Sequence, residues 1–267
     1  MKKLNIFSAV ILLSAIFFSC KKEGVHEIPT ATTDGGGQIK FFNFGVGSPS
    51  LNFYANNGKI SAVVSTSDRE ASTGLTYGSV FPTLSYSLLE AATYTITGVI
   101  PALATTDPSV VVSTLPAPIE AGKFYSLYTC GIYSTTTKTT DAFIIEDKIP
   151  PISATTASIR FVNTISNATS GFNLVLKNTT TLTELVVATN VSYKTASEFT
   201  QVPNGTYEIY ARYPSGTANV ISRTGTSVVA IVAGRSYTIS SRGDMTVTGS
   251  TATNRPFLDN TPNRTNN

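Results

Sequence analysis

The amino-acid sequence predicts an all-β protein made of two tandem antiparallel β-sandwich domains. Three observations lead to this fold: the composition favours strands, the chain repeats itself once, and short strand patterns follow turn signals. An apolar N-terminal segment and a polar stretch precede the two domains.

Composition indicates the fold class. Hydrophobic residues make up 41% of the 267 residues and charged residues only 13%, with 12 Tyr, 14 Phe and no Trp. Threonine is also frequent, and Thr, Val, Ile, Tyr and Phe all favour pleated strands. Because the net charge is only +3 and no basic stripe is present, we expect no nucleic-acid partner.

Residues 1–19 have the pattern of a secretory signal peptide. Lys2 and Lys3 precede an apolar run that reaches Phe18. This run is shorter than the roughly 20 apolar residues that a membrane-spanning helix needs. The segment therefore predicts export followed by removal of the signal.

Cys20 predicts a lipid anchor. It follows Ser19, and a small residue before a cysteine resembles the lipobox of bacterial lipoproteins. The resemblance implies a diacylglyceryl group on the Cys20 thiol, cleavage just before it, and acylation of the freed amine. Two or three fatty chains hold a protein firmly at a membrane, whereas one holds it only marginally. The alternative is an ordinary signal peptide with an incidental cysteine.

Residues 20–37 predict a flexible, lipid-anchored tether. The stretch has almost no apolar residue to bury and ends in a run of glycines. His26, the only histidine, lies in it, and we interpret it as a solvated side chain rather than a ligand or a general base.

An internal repeat divides the remaining chain. The segment IEAGKFYSLYTCG, Ile119–Gly131, matches IVAGRSYTISSRG, Ile231–Gly243, and IKFFN, Ile39–Asn43, matches IRFVN, Ile159–Asn163. Weaker matches are LNFY with FNLV, at Leu51 and Phe172, and FIIED with FLDN, at Phe143 and Phe257. Because order and spacing are kept, the sequence predicts two copies of one domain.

The boundary between the copies lies at Lys148–Thr156. Pro150 and Pro151 remove two amide donors there, so neither a helix nor a central strand can continue. We place domain one at 38–148, domain two at 157–260 and a polar tail at 261–267.

Turn signals precede several short strands. Asn204-Gly205 is suited to a positive φ and precedes the strand pattern TYEIYARY, and Ala233-Gly234 precedes SYTIS. Several such strands per hundred residues indicate a two-sheet sandwich.

These motifs together resemble the domain-of-unknown-function family 4397. The resemblance is carried by IRFVN, by LNFY, by the G-x-Y-x-I pattern of GTYEI and by the AG-[KR]-x-Y-[ST] strand, and it covers nearly the whole mature chain in two passes. It implies an Ig-like sandwich and export, commonly as tandem copies on Bacteroidota lipoproteins. The family lends no catalytic residues. Domain one departs from the pattern with Glu90-Ala91-Ala92-Thr93-Tyr94 in place of the Asn204-Gly205 turn.

We expect no enzyme, no cofactor and no metal site. The acidic residues of the folded part are scattered, with only Glu146 and Asp147 adjacent, and no zinc, calcium-loop or phosphate-binding pattern is present. Cys130 has no cysteine partner if Cys20 carries lipid, and no histidine is near it in the sequence, so we interpret it as structural.

The strand that follows each AG turn differs between the copies on one face. Tyr125 and Leu127 match Tyr237 and Ile239, and we expect both pairs to point inward. The opposite phase of domain two is polar, and we expect it to face water; its residues are Ser236, Thr238, Ser240 and Arg242.

In domain one the same phase carries Phe124 and Tyr128, which share a strand face about 13 Å apart. They predict an apolar patch that meets domain two, another protein or a sugar ring; alternatively, a neighbouring loop covers it.

Two functions remain open. The first is a non-catalytic envelope protein in which two sandwiches on a lipid tether act as a spacer, an adhesin or an assembly component. The second is an accessory protein that captures glycans or peptides for an outer-membrane uptake system. The expected location is the outer membrane, at its periplasmic face or the cell surface, since Lys21 replaces the aspartate that retains enteric lipoproteins in the inner membrane.

Overall fold

The computed structural model describes residues 35–264. Cys20 and His26 lie outside these residues, as do the signal peptide and most of the tether, so the predictions that concern them stay predictions.

The first half of the described chain forms two sheets. One has the strand order β4-β1-β8-β9, with β5 also paired to β1, and the other has the order β3-β2-β6-β7. The strands are β1 (Gly36–Asn43), β2 (Asn52–Ala55), β3 (Gly58–Lys59), β4 (Ser79–Phe81), β5 (Ser87–Glu90), β6 (Ala92–Val99), β7 (Val111–Ile119), β8 (Phe124–Ser134) and β9 (Thr139–Glu146).

The second half repeats this plan. Its sheets have the orders β13-β10-β18-β19, with β14 also paired to β10, and β12-β11-β15-β16, with β17 also paired to β15. The strands are β10 (Thr156–Asn163), β11 (Phe172–Asn178), β12 (Glu184–Val191), β13 (Thr195–Ala196), β14 (Thr200–Pro203), β15 (Gly205–Arg212), β16 (Asn219–Arg223), β17 (Val229–Ile231), β18 (Ser236–Arg242) and β19 (Phe257–Arg264).

The predicted all-β sandwich fold is confirmed, with one addition. Most strand pairs are antiparallel, but β1 pairs with β8 and β10 with β18 in parallel. The register is the same in both halves, because Ile39 lies opposite Tyr125 and Ile159 opposite Tyr237.

The AG turns are as expected. Gly122 and Gly234 have φ of 74° and 78°, which glycine adopts without steric cost. A tyrosine after each turn accepts a hydrogen bond from a backbone amide before it. The Glu120 amide donates to the Tyr125 hydroxyl over 3.2 Å, and the Val232 amide donates to the Tyr237 hydroxyl over 3.4 Å.

The turn before β15 differs from the expectation. Neither Asn204 nor Gly205 has a positive φ. A tyrosine fixes this corner in both halves instead: Tyr207 donates to the Pro203 carbonyl over 2.9 Å, and Tyr94 donates to the Glu90 carbonyl over 3.1 Å. The hydroxyl therefore makes the same contact although the turn sequences differ.

The inward faces pack as the alternation of β8 and β18 predicts. Tyr125 and Leu127 belong to the first core, in which the Phe41 and Phe53 rings stack 4.8 Å apart across the two sheets. Burying each large apolar side chain contributes roughly 1.5–3 kcal/mol. The second core includes Ile159, Phe161, Phe172, Leu174, Leu176, Ile209, Ala211, Tyr237 and Ile239.

The structure corrects two boundaries and one match between the copies. Gly36 and Gly37 begin β1 rather than end a spacer, since they pair with Glu90 and Leu89 of β5. Residues 261–264 continue β19 and are not a tail, since Thr261 pairs with Thr238. Finally, the strand register pairs Phe143 with Tyr128 and Asp259 with Ser240, so Phe143 corresponds to Asp259 and not to Phe257.

The start of β1 and the ends of β9 and β19 lie at one end of the molecule, which we call the base. Gln38 on β1 is paired with Phe124, whose carbonyl accepts from the Asp147 amide just after β9. Asn263, near the end of β19, donates to the Asp147 carboxylate over 3.4 Å. The chain therefore enters the fold, crosses between halves and leaves β19 at the base.

Candidate functional site at the contact between the two halves

The two halves pack through the outer faces of their mixed sheets, and we call this contact the seam. Its first side is formed by β1, β8 and β9, and its second side by β10, β18 and β19. The two sides are related by the internal repeat: Tyr128 and Ser240 are equivalent positions, and their hydroxyl oxygens lie 3.3 Å apart across the seam.

Of the predicted surface patch, Tyr128 lies in this seam, whereas Phe124 packs against its own half. Tyr128 is fully buried, and Phe124 is half-buried with its ring edge-on to Tyr86 at 5.2 Å. Of the three partners considered for this face, the second half covers Tyr128. Tyr128 is therefore not available to another protein or to a sugar ring.

An aromatic stack forms the apolar centre of the seam. The Tyr128 ring lies 4.1 Å from the Phe42 ring and 5.1 Å from the Phe143 ring, nearly parallel to both. Phe44 packs edge-on against Phe42 at 5.4 Å, and Val162 of the second half completes the cluster. Such ring pairs contribute about 0.5–1.5 kcal/mol beyond the area that they bury.

The opposite face of β18 does not face water, contrary to the expectation. Ser236, Thr238 and Ser240 are all buried. Their short hydroxyl side chains let the first half approach closely, and two of them hydrogen bond within the seam. The alternation of side chains along β18 correctly assigned residues to its two faces, but it could not show that both faces are buried.

A buried ion pair closes the base end of the seam. The Arg160 guanidinium on β10 binds the Asp147 carboxylate of the first half, and both side chains are at most 2% exposed. Arg160 also donates through Nε to Thr238 Oγ1 over 2.9 Å, and its guanidinium lies 5.1 Å from the Phe199 ring. Burial, the largest single effect, lowers the pKa of Arg160, but the charge and hydrogen bond of Asp147 together with Tyr128 and Tyr86 outweigh it, and the pKa is raised.

Asp147 is the centre of a hydrogen-bond network. Its Oδ2 accepts from Tyr86 and from Ser126, each over 2.7 Å. Asn263 donates to the Tyr86 hydroxyl over 2.8 Å and accepts from Thr238 over 2.7 Å. Burial is the main reason why the pKa of Tyr86 is strongly raised, so this phenol stays protonated as a donor.

Lys40, in the first half, occupies the position equivalent to that of Arg160 in the second half. It is fully buried, and its ammonium donates to the Thr83 carbonyl over 3.1 Å and lies 4.9 Å from the centre of the Tyr86 ring. Burial lowers the pKa of Lys40 to about 8, although the charge of Asp147 opposes this shift. The base end of the seam thus buries two cations around one carboxylate.

The other end of the seam shows the same quasi-symmetry. Cys130 and Arg242 occupy equivalent positions, and each contacts a tyrosine of the opposite half. The Cys130 thiol lies 3.2 Å from the Tyr193 hydroxyl, and the Arg242 guanidinium lies 5.0 Å from the Tyr77 ring. Burial raises the pKa of the Cys130 thiol to about 12, so at neutral pH it is not the reactive thiolate.

Two grooves flank the seam at positions related by the repeat. The first, of about 430 Å³, lies between the end of β9 and residues 194–199, and its walls include Ile145, Lys148 and Phe199. The second, of about 530 Å³, lies between β4 and β19.

The polar groups of the seam satisfy one another. Its carboxylate, phenols and guanidinium are paired with one another, and among residues 35–264 no three His, Cys, Asp or Glu side chains gather as a potential metal site. Within the same range, no helix has the length and hydropathy of a membrane span.

The three residues at the centre of this network were not predicted from the sequence; they are Lys40, Asp147 and Arg160. A signal was present, because IKFFN and IRFVN each place a basic residue inside an otherwise apolar strand at the same position. A buried charge requires a partner, so this pairing could have indicated a polar contact beyond the sandwich core.

Comparison with known proteins supports the family resemblance for one copy of the domain. No curated protein matches the chain. A family model described as a domain of unknown function, DUF4397, matches residues 37–171, which span the first half, the linker and β10. Since this range is more than half of the 267 residues, the chain belongs to the DUF4397 family.

Proposed function

We propose that the chain is a non-catalytic, lipid-anchored protein of the bacterial cell envelope, in which two sandwich modules form one rigid spacer, adhesion or assembly unit. The observation that carries this proposal is the seam. A linker alone would let two modules rotate, whereas the Arg160–Asp147 pair and the stack around Tyr128 fix one orientation.

The second half is proposed as a second copy of the family domain, in an exported protein of the Bacteroidota type. The support is the repeated strand order, the repeated parallel register and the equivalent tyrosine contacts of both halves.

The base is the proposed membrane-facing end. The chain that carries Cys20 joins the fold there, at the start of β1. A lipid on Cys20 would tether the modules by this end to the outer membrane, on either its periplasmic or its outer side.

Lipid attachment is testable by intact mass. The chain expressed in a bacterial host should carry fatty chains on residue 20 and enter the detergent phase, and Cys20→Ser should remain aqueous. An aqueous, unmodified wild-type chain would overturn the anchor. Protease treatment of whole cells then distinguishes the two faces of the outer membrane.

A glycan- or peptide-binding accessory of an uptake system is the second candidate. The two grooves of about 430 and 530 Å³ favour it, because they are within the size range of small-molecule and peptide sites. Binding of the chain on a glycan or peptide array would support this role. A chain that binds no glycan or peptide would support the proposed spacer, adhesion or assembly role.

A further inference from the structure

Three large apolar side chains are exposed at the base of the second half. Leu182, Ile152 and Val232 are 65%, 64% and 39% exposed. Leu182 lies on the hairpin between β11 and β12, Val232 on the turn before β18, and Ile152 in the linker between β9 and β10. In the part of the chain that the structure describes, none of them belongs to a hydrophobic core. We call these three side chains the basal patch.

Backbone contacts place the three segments at the same end. The β11–β12 hairpin is joined to the start of β15 by the Thr179 amide, which donates to the Thr206 carbonyl over 2.9 Å. The start of β15 also pairs with Ile231, where the turn before β18 begins. The Gly234 amide of that turn donates to the carbonyl of Thr156, where the linker ends, over 3.0 Å.

The backbone at Leu182 indicates that folding alone does not favour a leucine there. Its φ is 60°, in the left-handed region, where Cβ crowds the following carbonyl oxygen. Of the non-glycine residues between 35 and 264 that have a positive φ, Leu182 is the only apolar one. The corresponding hairpin of the first half has Asn56 at a φ of 52°, which asparagine tolerates. An exposed leucine in a strained backbone points to a contact outside the fold.

The equivalent positions of the first half are polar. Glu120 matches Val232 in the internal repeat, and its carboxylate binds Lys123 over 2.8 Å. The hairpin tip there consists of Asn56 and Asn57, which are both exposed. The apolar character is therefore not a property of these turns in general but belongs to the second half.

The position of the basal patch favours a lipid bilayer as its partner. β1 starts at the base, and residues 21–35 join it to Cys20. Fully extended at roughly 3.3–3.6 Å per residue, this segment reaches at most about 50 Å, so a lipid on Cys20 would keep the base beside the membrane. The basal patch is aliphatic, whereas the residues that dominate protein–protein contacts are Trp, Tyr and Arg.

We propose that the basal patch inserts into the surface of the bilayer that holds the lipid anchor. The inference rests on the proposed anchor and deepens the spacer role, because it fixes which end of the unit faces the membrane. Three aliphatic side chains bind a membrane only weakly on their own. The lipid on Cys20 makes their contact intramolecular, so the anchor and the patch act together.

The test uses the full chain, acylated in a bacterial host and reconstituted into vesicles of phosphatidylethanolamine and phosphatidylglycerol. Thr180→Cys, beside Leu182, carries an environment-sensitive fluorophore. Cys130 is buried and an acylated Cys20 has no thiol, so the fluorophore labels residue 180 alone. Lipids with a nitroxide group on the acyl chain should quench this label.

Thr105→Cys is the matched control. It also replaces an exposed threonine in a loop, but the Asp107–Lys138 ion pair joins that loop to the β8–β9 hairpin, at the end opposite the base. Its label should not be quenched. Leu103→Ser changes a leucine of similar exposure, 60%, in the same loop, and it should leave the quenching at residue 180 unchanged.

Leu182→Asn separates membrane contact from stability. It should lower the docking equilibrium, measured as the quenched fraction at residue 180, about tenfold because a leucine is no longer buried in lipid. It should also raise Tm, because asparagine adopts a positive φ more readily than leucine. A leucine that only stabilises the fold would give a lower Tm and unchanged quenching.

Three results with an acylated chain would overturn the inference and leave the anchor intact. They are no quenching at residue 180, equal quenching at residues 105 and 180, and quenching that Leu182→Asn does not change. A label at residue 180 that nitroxide lipids do not quench, but that is shielded at high protein density, would assign the basal patch to a second copy instead. An intact mass without fatty chains would refute the anchor and this inference together.

Discussion

Replacing Arg160 by methionine tests whether the ion pair holds the seam together. The change keeps an unbranched apolar stem but removes the guanidinium, which leaves the Asp147 carboxylate buried with 0% side-chain exposure. It also removes the Arg160 donor to Thr238.

The structure sets the size of the effect. Removing one partner of a buried ion pair costs about 3–5 kcal/mol, because the remaining charge has lost its counter-charge. Asp147 keeps hydrogen bonds from Tyr86, Ser126 and Asn263, so we expect the lower end, about 3 kcal/mol. For a chain of this size that loss lowers Tm by roughly 6–12 °C.

The assay is urea unfolding of wild type, Arg160→Met, Asp147→Asn and the double variant, with Lys40→Met as the matched control. Lys40 is equally buried but contacts backbone carbonyls rather than a carboxylate, so its replacement leaves no charge unpaired. The double variant should be more stable than additivity predicts. A loss below 1 kcal/mol in Arg160→Met, or an equal loss in Lys40→Met, would refute the reasoning.

Three further predictions concern the seam. Lys40 has a pKa of about 8 in the fold and 10.5 in the unfolded chain, so between pH 8 and 10.5 the unfolded chain binds one more proton and the free energy of unfolding rises with pH. Urea unfolding at several pH values should show a rise of up to about 3 kcal/mol in wild type relative to Lys40→Met. Parallel pH profiles of the two proteins would contradict this. Tyr128→Phe should lower the free energy of unfolding by about 1 kcal/mol because the contact with Ser240 is lost, whereas Tyr128→Ala should lower it by about 3–5 kcal/mol because it opens the aromatic stack. Equal losses of stability on thermal unfolding would show that the rings contribute little. In a Cys20→Ser chain, the Cys130 thiol should react with a thiol reagent at neutral pH only as fast as the chain opens, and rapid labelling of the native state would contradict its burial.

Sequence patterns predicted the parts of the fold that depend on local signals. The AG turns at Gly122 and Gly234 and the inward phase of Tyr125 and Tyr237 follow from turn chemistry and from the period of two along a strand. Each needs only a few neighbouring residues to be recognised.

The seam could not be predicted in the same way because its partners are distant in sequence. Ser240 is an ordinary water-facing residue by composition, and only its contact with Tyr128 explains its burial. Lys40 and Arg160 were visible as basic residues inside apolar strands, but nothing local indicates that one would bind Asp147 and the other backbone carbonyls.

Scanning calorimetry tests most directly whether the two halves form one unit. If the buried seam couples them, the chain should unfold in a single transition whose calorimetric enthalpy equals the van't Hoff enthalpy. Two separate transitions, with the second unaffected by Arg160→Met, would contradict the coupling of the halves.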